Sequence, residues 1–157
     1  MFSSRARYGL KAMAVLAARH AADTLVSADE IVATEHIPAK YLESILTALR
    51  KRGLLVSRRG PAGGYRLARP PEEISLADVV RTLDGAFAPT TCARTRNPVC
   101  CEGCDDMASC YIRPFMRRVR DEMAKVLEGQ TVADLCASYC LPGDESDAAK
   151  ARRRRPN

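Results

Sequence analysis

No run of about 18 apolar residues occurs in this chain, the length a helix needs to cross a bilayer. A membrane-spanning helix and a membrane partner are therefore not expected. A secretory leader is not expected either. Arg5, Arg7, Lys11 and Arg19 interrupt the stretch from Met1 to Ala21, and no clean apolar block precedes a cleavage site. These absences point to a reducing cytoplasm. Neither a nucleophile beside a base nor a phosphate-cradling glycine loop is found, so no enzyme is expected. The two histidines, His20 and His36, both lie in the first third of the chain and read as structural.

What is present is a chain of 157 residues with 46% apolar content, enough for one core with or without a dimerising arm. Its charge is uneven. Residues 1–70 hold 12 Lys and Arg against 5 Asp and Glu, whereas residues 71–129 hold 8 against 10. The basic surplus belongs to the first segment, which suits a polyanionic partner. Seven cysteines are also present, five of them between Cys92 and Cys110. An odd, tightly clustered set in a reducing compartment suits metal or redox chemistry better than a disulfide framework.

The pattern of elements is mainly α. Leu10, Met13, Ala14 and Ala17 recur at helical spacing and predict a helix from about Ser4 to Ala22. Ser27-Ala-Asp-Glu30 reads as a capping box opening a second helix. His36-Ile-Pro38 breaks it, with Pro38 expected in the first turn of the third. That third helix sets Leu42, Ile45, Leu46 and Leu49 on one face and Lys40, Glu43, Ser44, Thr47, Arg50 and Lys51 on the other, and it stops at Gly53. Strands over Leu54–Arg58 and Tyr65–Ala68 flank a turn-rich tip, Arg59-Gly-Pro-Ala-Gly-Gly64. A fourth helix runs from Ser75 to Gly85. Residues 86–110 show no periodicity. A long helix over 114–127 then presents the apolar stripe Phe115, Val119, Met123 and Val126, which needs a partner surface such as a second copy. A last helix starts at Thr131 and runs to about Tyr139, and the polar tail ends in Arg152–Arg155.

Three helices followed by a basic, glycine-rich hairpin describe a winged helix-turn-helix. Its third helix fits the major groove, where Lys40, Tyr41, Glu43 and Ser44 at its N-terminal end reach base edges. Arg50 and Lys51 suit phosphates. Arg58 and Arg59, beside Gly60 at a narrow tip, suit the minor groove of A·T-rich tracts. Gly63 and Gly64 permit close backbone approach and positive φ.

The segments Tyr41-Leu-Glu-Ser-Ile-Leu-Thr-Ala-Leu-Arg50, Gly53-Leu-Leu and above all Arg59-Gly-Pro-Ala-Gly-Gly-Tyr-Arg-Leu-Ala68 resemble the Rrf-two-type family of winged helix-turn-helix transcription regulators, which includes IscR-, NsrR- and RirA-like proteins. The resemblance spans nearly all of residues 1–136. It implies a homodimer with a long crossing dimerisation helix, major-groove contact from Tyr41 and Glu43, minor-groove contact from Arg59, and a basic-aromatic start, Arg7-Tyr8, near the DNA backbone. A twofold dimer implies a palindromic operator.

The same family holds an iron–sulfur cluster on three loop cysteines. Cys104 and Cys110 match its last two by spacing, and Cys92 matches the first by its place after the fourth helix. Thiolates suit such clusters and zinc alike. Cys101-Glu-Gly-Cys104 is a pair able to grip one centre. The expected ligands are Cys92, Cys101, Cys104 and Cys110, with Cys100 as an alternative. Arg113 stands where iron–sulfur members carry a histidine ligand, which leaves [2Fe–2S] and [4Fe–4S] both open. Cys136 and Cys140 read as small buried residues on the last helix. The expected organisation is a DNA-binding domain over 1–85, a cluster-binding loop over 86–113, dimerisation and terminal helices over 114–141, and a disordered basic tail over 142–157. The expected function is a repressor or activator whose operator affinity follows an iron–sulfur cluster. Alternatives are a zinc- or thiol-based regulator of the same fold, or a metal or electron carrier, which leaves the basic hairpin unexplained.

Overall fold

Ser3, Ser27 and Ser75 each open a helix in the same way. The side-chain oxygen accepts a hydrogen bond from the amide three residues on, at 3.1 Å in each case, satisfying a donor that the first turn leaves free. They start α1 (Ser4–Ala18), α2 (Ala28–Glu35) and α4 (Leu76–Asp84). The computed structural model describes residues 2–22 and 24–137. Cys140 and the Arg152–Arg155 run lie outside them.

Between α2 and α3 (Ala39–Lys51) the chain turns at His36, whose φ of 55° is left-handed. Pro38 stands one residue before α3 rather than in its first turn. Its φ of −56° and ψ of 125° are not helical, yet its carbonyl accepts the Tyr41 and Leu42 amides at 2.9 and 3.0 Å. The expected first helix also ends sooner: α1 stops at Ala18, and a short 3-10 turn covers His20–Ala22.

The hairpin pairs β1 (Leu55–Arg58) with β2 (Gly64–Leu67), in antiparallel register from Leu55 opposite Leu67 to Arg58 opposite Gly64. It is fastened to the body by Val26, which exchanges backbone hydrogen bonds with Tyr65 at 2.9 and 2.8 Å. Only glycine fits at position 64: a Cβ there would lie 2.5 Å from the Val26 carbonyl oxygen.

Aliphatic side chains from α1 to α4 fill the core, among them Met13, Leu16, Ile31, Ile45, Leu46 and Val79. Among the described residues no polar or charged side chain is buried with them. Gly9 lets α1 settle closely on α4. A Cβ at that position would meet Leu83 Cδ1 at 2.1 Å and Ile45 Cγ2 at 3.6 Å.

After the 86–111 loop come α5 (Ile112–Glu128) and α6 (Val132–Ala137). α5 begins two residues earlier than the sequence suggested. Pro114 is its third residue, a first-turn position whose missing N–H costs nothing. α5 lies along α4, with Leu127 buried and Glu128 paired to Arg81. α6 then returns to pack on α1. Val132 is fully buried and its amide donates to the Ile74 carbonyl at 2.8 Å, while the Leu76 amide donates to Gln130. The winged-helix core is thus closed by residues more than a hundred positions from α1. No described helix is long and apolar enough to cross a membrane.

Candidate nucleic-acid interface and cysteine loop

The amphipathic division of α3 decides what its outer face can do. Once Leu42, Ile45, Leu46 and Leu49 are buried, Lys40, Tyr41, Glu43, Ser44 and Arg50 must stand outside. The wing rises beside this face, and a polar cleft of about 400 Å³ runs between them. Of the residues singled out in the sequence, Glu43, Arg50, Arg58, Arg59, Gly60, Gly63 and Gly64 all line that cleft. Ser27, Thr47 and Ser57 join them. Ser27 and Ser57 are short hydroxyl residues in a cap and a strand, with no sequence pattern to mark them for an interface.

Lys40, Glu43, Arg50, Arg58 and Arg59 are exposed, and among the described residues none is engaged in an ion pair. Unpaired cations on one side of a molecule are the electrostatic footprint of phosphate binding. The hairpin glycines divide the work differently from expectation. Positive φ belongs to Gly60, at 112°. Gly63 and Gly64 serve close approach to the protein itself, since a Cβ on Gly63 would fall 2.2 Å from the Arg58 carbonyl oxygen.

At the N-terminal end of α3, Tyr41 is 40% exposed, and the ring of Tyr8 from α1 meets its ring edge-on. Ser44 donates its hydroxyl hydrogen to the Tyr41 carbonyl at 2.8 Å, so its remaining capacity toward a ligand is as an acceptor. Arg7 is exposed and donates to Ser4 Oγ at 3.0 Å.

The thiols of the loop do not meet at one point. Among the described residues no three Cys, His, Asp or Glu groups stand close enough to hold a single metal ion. They form two sets. Cys92 is buried in a 3-10 turn, Thr91–Ala93, where the featureless loop of the sequence reading acquires structure. Cys101 lies beside it and accepts hydrogen bonds from the Thr91 hydroxyl, at 3.5 Å, and from Cys92. These bonds stabilise the thiolate and bring the Cys101 pKa down to about 7. The second set is Cys104 with Cys110 and Cys100 close by. Desolvation, followed by the charge of Cys110, pushes the Cys104 thiol up. Cys136, on α6, is pushed up by burial alone, as expected of a packing thiol.

Polar groups from outside the cysteine pattern shape the loop. The Asp106 carboxylate accepts the amides of Ala108 and Ser109 at 2.9 and 3.0 Å, a turn that delivers Cys110 to α5 and holds the Asp106 carboxyl below its ordinary range. Arg113 donates to the Cys92 carbonyl at 3.1 Å and the Met107 carbonyl at 3.4 Å. Arg120 donates to the Ala93 carbonyl at 2.7 Å. The residue that replaces the expected histidine ligand is therefore a strap from α5 to the thiol-bearing turn.

α5 itself carries an unpartnered apolar face. Phe115 and Val126 are 61% and 63% exposed. With Val119, Met123, Leu127 and Phe2 they line an open groove of about 610 Å³.

Comparison with known proteins resolves the kind of molecule. A family model, Rrf2, described as an iron-dependent transcriptional regulator, matches residues 2–138. The chain is 36% identical over 140 residues to Protein rrf2 of Nitratidesulfovibrio vulgaris, covering 88% of this chain and 89% of that one. It is 32% identical over 133 residues to the HTH-type transcriptional regulator IscR of Aliivibrio salmonicida, covering 85% and 75%. Among solved structures, CymR of B. subtilis, titled the global cysteine regulator, superposes with a TM-score of 0.71 at 31% identity, covering 89% and 98%. The expected fold and the expected absence of enzymatic chemistry both stand on these relatives, for this chain belongs to the Rrf2 family of winged-helix, DNA-binding transcription regulators.

Proposed function

We propose that this regulator acts in the cytoplasm as a homodimer paired through α5, and that an iron–sulfur cluster held by the 92–110 loop sets its affinity for a palindromic operator. The observation that carries this reading is the two-set arrangement of thiols on a loop strapped to α5. A zinc ion needs its four thiolates about 2.3 Å from one point. A cluster spreads its protein ligands over several iron atoms, and two separate sets of soft donors suit it better. Cys92, Cys101, Cys104 and Cys110 would hold it, with Cys100 beside Cys104 as a substitute. When bound, the cluster would supply a redox- and nitric-oxide-sensitive centre. The protein's share is to couple loop shape to the dimer helix through Arg113 and Arg120.

On the DNA side, Glu43 suits a cytosine amino group and Arg58 and Arg59 a narrow minor groove, while Arg50 and Lys51 suit phosphates. Arg7, Lys40, Ser44 and the backbone of Gly60, Gly63 and Gly64 complete the contact surface. A second reading is favoured by one specific feature: Cys101, with its thiolate stabilised beside Cys92, is equipped for a metal-free thiol switch. Hydrogen peroxide would then join the two sulfurs as a disulfide and leave as two waters.

One experiment separates these. The protein is purified without oxygen, its visible spectrum, iron, sulfide and zinc are measured, and its binding to a selected duplex is compared before and after bleaching with nitric oxide. Brown protein with sulfide, and affinity that changes on bleaching, supports the cluster. Stoichiometric zinc without sulfide overturns it. Colourless, metal-free protein whose DNA binding responds to peroxide and recovers with a thiol reductant favours the switch.

A further inference from the structure

We propose that Tyr8 is a positioning residue for DNA recognition, whose ring fixes the orientation of Tyr41 at the N-terminal end of α3. The inference rests on the reading of α3 and the wing as the DNA-binding face.

Tyr41 is 40% exposed in the first turn of α3. An exposed side chain there samples several rotamers, and ordering it on binding costs affinity. The Tyr8 ring lies against it with centroids 5.8 Å apart and planes at 86°. This edge-to-face arrangement is the one that the charge distribution of aromatic rings favours. The chain has only five tyrosines and three phenylalanines, so an aromatic pair at this spot is not a product of abundance.

The pair is also held from behind. Gly9, the next residue on α1, packs so closely on α4 that a Cβ would lie 2.1 Å from Leu83 Cδ1, and it stands at ordinary contact distance, 3.6 Å, from Ile45 Cγ2 of α3. Ala12, one turn further, has no solvent exposure. These contacts fix how α1 is rotated against α4 and α3, and with it where the Tyr8 ring sits. On the other side, Ser44 Oγ binds the Tyr41 carbonyl and tightens the same turn. Tyr41 is therefore presented preformed, the condition under which a contact contributes fully to recognition.

The test uses full-length protein and a duplex selected by the wild-type chain from a random pool. Four variants are compared: Tyr8→Phe, Tyr8→Leu, Tyr41→Ala and the double variant Tyr8→Leu/Tyr41→Ala. Tyr8→Leu should weaken the selected complex by about twofold to tenfold, the range an aromatic pair is worth. It should leave the salt dependence unchanged, since a neutral ring displaces no counterion. It should lower affinity for random duplex no more than Tyr8→Phe does, a change that removes any hydroxyl contact with the DNA backbone but keeps the ring. In the Tyr41→Ala background the Tyr8→Leu change should have no further effect, whereas Tyr8→Phe, which keeps the ring, should keep the wild-type preference for the selected duplex over the random one. A thermal melt of each variant shows that it is folded. Additive losses from Tyr8→Leu and Tyr41→Ala overturn the proposal, as does a shallower salt dependence in Tyr8→Leu. A chain that selects no duplex at all overturns the DNA-binding reading and this proposal with it.

Discussion

Leu42, Ile45, Leu46 and Leu49 of α3 have no solvent exposure, and neither do Ala12 and Met13 of α1 or Val79 of α4. From Arg94 to Cys110, by contrast, no residue is buried. The winged-helix body is held by burial, which is non-directional and summed over many contacts. The cysteine loop is held by a few directed bonds, those of Asp106, Arg113, Arg120 and Thr91, each a modest net contribution. A ligand gripping the thiols can therefore reset the loop without disturbing the body. Segments that switch are drawn from the low-stability end of a protein, and here that end carries the reactive groups. The straps from Arg113 and Arg120 mean that resetting the loop is felt first by α5, the helix with the open apolar face.

The largest effect should come from the body. Leu46→Ala should cost about 2–5 kcal/mol, as expected for a fully enclosed leucine, read from a urea titration. Val99→Ala, in the loop and 54% exposed, should leave the midpoint where it was. Equal costs at the two positions would erase the contrast between body and loop.

Next in size is the face of α5. Val119→Asp should leave the helical content of each chain intact but halve the mass seen in sedimentation, because two uncompensated carboxylates would meet at the twofold axis at a cost of several kcal/mol. A Val119→Asp protein that sediments with the wild type removes this face from the proposed pairing, and the groove beside Phe2 then has another use.

The same contrast explains what was legible in advance. The serine caps, the apolar face of α3 and the glycine-rich hairpin are local patterns, and each appears within a residue or two of its expected place. α6 was not legible as part of the core: its anchor is one buried valine, and its partner α1 lies at the other end of the chain. The glycine pattern of the hairpin points to close approach at Gly64, and the approaching group is the protein's own Val26 carbonyl. In the loop, spacing gave reach without direction. Cys101 and Cys104 look like one grip in sequence, yet Cys101 turns to Cys92 and Cys104 to Cys110. Arginines that bind backbone carbonyls, as Arg113 and Arg120 do, leave no pattern to read.

The smallest predicted effect probes one of those directed bonds. In reduced, metal-free protein the thiolate is the species that iodoacetamide attacks. The Cys101 pKa is lowered to about 7, and the Thr91 hydroxyl is the largest cause, ahead of Cys92. Its alkylation rate should climb as pH rises through about 7, whereas Cys104, pushed the other way by desolvation and Cys110, should respond only at higher pH. Thr91→Val keeps the side-chain shape and deletes the donor. The rise for Cys101 should then shift toward the ordinary thiol value of about 8.5, so that at neutral pH the site reacts severalfold more slowly. Mass spectrometry of the alkylated peptide reads this site by site, with Cys136 as an internal reference that Thr91→Val should not move. If the Cys101 profiles of the two proteins overlay, the Thr91 hydroxyl does not direct this thiolate. The pairing of Cys101 with Cys92 would then have to come from the backbone turn at 91–93 alone.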